Sequence, residues 1–108
     1  MAAPRPLFVA EPAAVWQARP ALVVDCSVIV AALFDEHDAE QATQALAGHA
    51  LHAPALLPFE FANVARSKSR AGARGEQVQQ ALQNFADLRV ALHPRSAAEM
   101  HALALAHG

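Results

Sequence analysis

The sequence predicts an open α/β fold in which helices pack on a parallel sheet. Residues 21–25, "ALVVD", form a short run rich in branched side chains with no polar alternation. That is the pattern of a strand covered on both faces, as strands of parallel sheets are. Brief strand-like runs return at 50–54 ("ALHAP") and 88–94 ("LRVALHP"), with helical patterns between them. Strands alternating with helices imply right-handed crossovers, and such sheets bind ligands beyond the carboxyl ends of their strands.

Residues 1–20 hold four of the seven prolines, Pro4, Pro6, Pro12 and Pro20, and each biases its predecessor away from helix. An extended, poorly ordered leader is expected there, with Leu7, Phe8, Val9 and Trp16 as apolar residues able to dock on a partner. After the first strand, Ser27 is placed to cap a helix over about 28–34. "DEHDAEQATQALAGH" supplies a loop and a second helix ended by Gly48. Pro54 stops the second strand. The segment from 57 to 70 reads as a helix with Leu57, Phe61, Val64 and Ala65 at helical spacing and Gly72 just past its end. Residues 76–88 repeat the pattern, with Val78, Ala81, Leu82, Phe85 and Leu88 on one stripe, and Ser96 opens a last helix to about His107.

The totals exclude several classes. A chain of 108 residues has room for one domain. Its apolar share of 55%, much of it alanine, fits a soluble globular protein. The formal charge of -2 argues against a surface given over wholly to nucleic acid, because phosphate neutralisation needs clustered Lys and Arg; a local basic stripe is compatible with it. Cys26 is the single cysteine, so no internal disulfide forms and a reducing cytoplasm is the expected compartment. No run approaches the roughly 20 apolar residues of a membrane span, and prolines interrupt the apolar core that a signal peptide needs.

Two carboxylates stand out. Asp25 interrupts the apolar run at the end of the first strand, where an anion loses hydration and persists only if amides, a cation or a metal stabilise it. Simple capping of the following helix accounts for Asp25 equally well. Glu60 lies among Leu57, Phe59 and Phe61, with Asn63 on the same helical face three residues later; an ordinary surface glutamate is the other account. If both carboxylates converge near Ser27 and Asn63, the donors are all oxygen and suit Mg²⁺ or Mn²⁺. At about 4 Å two such anions repel by roughly 1 kcal/mol in water and about 4 at an effective dielectric of about 20, which a divalent cation relieves.

Together, "VVDCSVIVAALFDE" and "HAPALLPFEFANVARSKSRAG" closely resemble the PIN-domain family, in particular its VapC-type ribonuclease toxins of type II toxin-antitoxin systems, over residues 21–108. The resemblance places Asp25 on the first family acid, Ser27 on the hydroxyl two places later and Glu60 on the second acid. Asn63 falls on the asparagine that follows, and Glu36 on a supporting acid after the first helix. It implies a three-layer α/β/α fold with a central parallel sheet, here reduced to about three strands. It further implies an endoribonuclease using Mg²⁺ or Mn²⁺, with Asp25 and Glu60 as metal ligands and Ser27 and Asn63 positioning carboxylates or water. An RNA substrate, a cognate antitoxin and a homodimer follow from the same resemblance. Family members continue past the last helix with a third acid and further strands, so residues 21–108 are expected to be an incomplete PIN-like domain. A catalytically inert binding or dimerisation module is the alternative.

Arg66, Lys68, Arg70 and Arg74 follow Glu60 closely and suit RNA phosphates; their charges equally suit a helix C-terminus. The histidines lack metal-site spacing, since His49 and His52 are not i, i+4 and His37, His93, His101 and His107 are scattered, so surface or satisfied imidazoles are expected. Cys26 is expected to be a small buried side chain. A phosphatase or phosphoacceptor domain with an aspartate nucleophile would need a second aspartate where Ser27 stands and a lysine after the third strand, and has neither.

Overall fold

The computed structural model describes residues 12–106. The elements run α1 (Ala13–Gln17), β1 (Ala21–Val23), α2 (Cys26–Leu33), α3 (Ala39–Ala47), β2 (Ala50–Pro54), α4 (Leu57–Arg70), α5 (Gly75–Asp87), β3 (Val90–His93) and α6 (Ala97–Ala106). The three strands form one parallel sheet in the order β1-β2-β3, with Leu22 opposite Leu51 and Leu51 opposite Val90. This is the expected open α/β sheet flanked by helices.

Alternation along β2 explains the layering. Leu51 and Ala53 share one face and join Ile29, Leu33, Leu46, Leu57, Phe61, Val78 and Ala81 from α2 to α5 in the main core. Phe61 anchors it, stacked on Phe85 with centroids 4.3 Å apart. Ala50, His52 and Pro54 fall on the opposite face. There α1 lays Trp16 against His52, and α6 brings Met100 to a cavity that Pro54 also lines.

Several expectations shift once the strands are assembled. β1 is not covered on both faces: Ala21 is exposed and Leu22 and Val23 are half-buried, because β1 lies at an edge and the central, covered strand is β2. β1 is also shorter than predicted, although the Val24 amide still donates to the His52 carbonyl. The cap of α2 is Asp25, which accepts from the Val28 amide, so Ser27 lies inside the first turn. The helix ends at Phe34 and Asp35, the latter at φ 52°, a left-handed conformation that aspartate tolerates. Leu88 ends α5 in an extended conformation, which moves the start of β3 to Val90.

The predicted extended leader contains α1. Pro12 is its N-cap at φ -58°, and no proline follows until Pro20, so one helical turn can form. Leu7, Phe8 and Val9 lie outside the described residues. At the other end Ser96 opens α6 as predicted: its hydroxyl oxygen accepts from the Glu99 amide at 3.1 Å.

Candidate active site

The chain leaves β1 into α2 through Asp25, whose extended backbone (φ -101°, ψ 170°) turns its carboxylate back over the helix start. Its Oδ1 accepts from the Val28 amide at 3.2 Å and from the Ser27 hydroxyl at 2.5 Å. Capping and site formation are therefore the same act for this residue. The carboxylate is exposed rather than desolvated, which corrects the expectation of an anion buried at a strand end. Glu60 stands in the first turn of α4 and is exposed too, because the buried stripe of that helix runs through Leu57, Phe61 and Ala65.

Folding brings these two acids to one cavity of about 290 Å³, lined also by Val23, Val24, Cys26, Pro54 and Leu57 and walled by Met100, His101 and Ala104 of α6. It lies beyond the carboxyl ends of β1 and β2, where an open α/β sheet presents its ligand site. Electrostatics report the same convergence. Burial, then the charge of Glu60, then that of Asp25 push the Cys26 thiol above its ordinary range. One half-buried thiol thus feels both carboxylates; Cys26 is less enclosed than its apolar neighbours suggested.

The other candidates take different places. Ser27 orients Asp25 but faces a neighbouring groove, shared with Glu36, His37, Asp38 and Gln41. Asn63 lines a third groove with Val64, Ser67, Lys68 and Ala71 rather than the cavity of Glu60. Glu36 is engaged by Lys68, whose Nζ donates to Oε2 at 2.6 Å and stands 5.4 Å over the Phe34 ring. Arg66, Arg70 and Arg74 are exposed.

The donor chemistry at the cavity fits a hard cation. Mg²⁺ is commonly held by one or two carboxylates while keeping several waters, and Asp25 and Glu60 supply that number in an open cavity. Among the described residues no three His, Cys, Asp or Glu side chains gather as a closed metal cage.

Sequence reasoning missed two features. Met100 and His101 complete the cavity wall, which no motif announces because α6 reaches it only by packing on β1 and β2. His52 and His93, far apart in the chain, meet at 2.9 Å; seeing this needs the strand register. Among the described residues no helix is long and apolar enough to cross a membrane.

A family model, that of the PIN domain, matches residues 22–108. No curated protein and no solved structure matches the chain.

Proposed function

Because the chain belongs to the PIN-domain family, whose members are in general metal-dependent nucleases, we propose that it is an endoribonuclease toxin of a toxin-antitoxin pair, cleaving RNA at the cavity of Asp25 and Glu60. The observation that carries this reading is that two acids 35 positions apart line one cavity at the carboxyl end of the sheet. Asp25 and Glu60 would hold Mg²⁺ or Mn²⁺. When bound, such a cation supplies charge neutralisation at the phosphate and a more acidic water.

The chain's own residues do the positioning. Ser27 and the Val28 amide occupy Oδ1 of Asp25, which fixes the carboxylate plane before substrate arrives. Arg66, Arg70 and Arg74 line the exposed end of α4 and the start of α5, where they attract a phosphate backbone despite the acidic total. Lys68 contributes less to that field, since Glu36 neutralises it. Asn63 and Glu36 support the site from the flanking grooves. Leu56 and Phe59, 64% and 69% exposed on either side of Leu57 and next to Glu60, offer apolar surface that a cognate antitoxin would cover, closing the cavity to RNA. Homodimerisation and a cytoplasmic setting belong to the same proposal.

A catalytically inert binding module is the second reading, favoured by the absence of a third acid beside Asp25 and Glu60 among the described residues. RNA cleavage with Mg²⁺, with Mn²⁺ and with EDTA, on the wild type and on Asp25→Asn and Glu60→Gln, separates the two. Cleavage abolished by EDTA and by either substitution supports the nuclease. RNA or antitoxin binding without cleavage supports the module.

A further inference from the structure

On the sheet face that carries α1, His52 of β2 and His93 of β3 stand ring to ring. His52 Nδ1 and His93 Nε2 are 2.9 Å apart, with ring centroids 5.2 Å apart and planes tilted by 37°. The parallel register sets Pro54 opposite His93, so His52 and His93 are diagonal neighbours on one face. Both rings are half-buried, and neither lines the carboxylate cavity. Trp16 closes one side, its ring 5.6 Å from that of His52.

We propose that His52 and His93 form a two-imidazole site for a late first-row transition ion such as Cu²⁺ or Zn²⁺. Two imidazole nitrogens at about 2.0–2.1 Å from one tetrahedral ion lie about 3.3 Å from each other. The observed pair therefore accepts a cation after its nitrogens part by about 0.4 Å. Imidazole suits copper, nickel and zinc, whereas carboxylate and water suit magnesium, so this site and the Asp25–Glu60 cavity select different ions. In the neutral pair one facing nitrogen donates its proton to the other. Loading moves that proton to the outer nitrogen of the same ring and leaves both facing lone pairs for the metal, with no net proton released. Water completes the coordination, since no third His, Cys, Asp or Glu gathers there among the described residues. Copper is then the tightest of the divalent ions. Bound metal ties β2 to β3 directly beneath α1.

Trp16 is the only tryptophan, so its fluorescence reads this site. With the full chain, Cu²⁺ is expected to quench Trp16 along a saturating curve, Zn²⁺ to compete with that quenching, and Mg²⁺ to leave it unchanged. His52→Gln and His93→Gln are each expected to weaken Cu²⁺ binding by about tenfold or more, and His49→Gln to leave it as in the wild type. Quenching equal in all three variants, or no saturable quenching in the wild type, overturns the site. If circular dichroism shows a variant to be unfolded, the wild-type Tm in excess Mg²⁺ decides: a further rise on adding Zn²⁺ supports the site, and no further rise overturns it. None of these readouts uses RNA cleavage, so the outcome is independent of the nuclease proposal.

Discussion

Asp25 serves both as helix cap and as cavity acid, and substitution can separate the two roles. Asparagine caps nearly as well as aspartate but carries no charge, whereas alanine does neither. Asp25→Asn is expected to lower RNA cleavage by about a hundredfold or more with little change in Tm, and Asp25→Ala to cost about 1 kcal/mol of stability as well, both read from paired cleavage and urea-unfolding measurements. Cys26 gives a second test without any metal. Its thiol is pushed up by burial first, then by Glu60, then by Asp25. In EDTA, Glu60→Gln should therefore move the pH profile of Cys26 alkylation to lower pH, and Asp25→Asn should move it less. An unmoved profile in both would mean that the two charges do not meet at this thiol. Sequence made Asp25 and Glu60 visible as candidates, but it could not show that both are exposed or that Asn63 faces another groove. Those outcomes depend on which stripe of α4 is taken up by the core.

At the scale of elements, α6 decides whether a cavity exists. Met100 is 2% exposed and lines the same cavity as Asp25 and Glu60. Met100→Ala is expected to destabilise the fold by about 2–5 kcal/mol, seen as a lower urea midpoint. The β2–β3 pair brings a pH dependence. Burial first, and then the nearby charge of His93, hold the His52 imidazole below its ordinary range. Trp16 packs on the same ring, with the Arg89 guanidinium 5.2 Å over the indole. The unfolded chain then binds the proton more readily than the folded one as pH falls below about 6.5. The stability linked to His52 is present above that pH and is lost as pH falls through the lowered folded value. Urea midpoints measured from about pH 7 down to about pH 5 should fall, and His52→Asn should flatten that fall. The end of β2 and the end of α4 were legible in sequence because Pro54 and Gly72 punctuate them. At the start of α2 the sequence offers two caps, since Asp25 and Ser27 both carry a side-chain oxygen, and only the backbone angles choose Asp25.

For the whole molecule, the distribution of charge matters more than its sum. The formal charge is -2, yet Arg66, Arg70 and Arg74 gather around the α4–α5 turn. RNA binding by the Asp25→Asn protein should weaken with salt, and replacing these three arginines by glutamine should reduce the slope of log K against log salt by about 0.7 for each phosphate no longer neutralised. A slope unchanged by the triple replacement would place the RNA elsewhere. The sequence by itself determined the α/β alternation, the parallel sheet and the acids offered for chemistry, because periodicity, prolines and helix caps act over a few neighbouring residues. Only the tertiary structure decided that β2 rather than β1 is the covered strand, that Asp25 and Glu60 share a cavity closed by α6, and that His52 meets His93. Each of these is set by strand order, register and helix packing, which join residues tens of positions apart and leave no local trace in the chain.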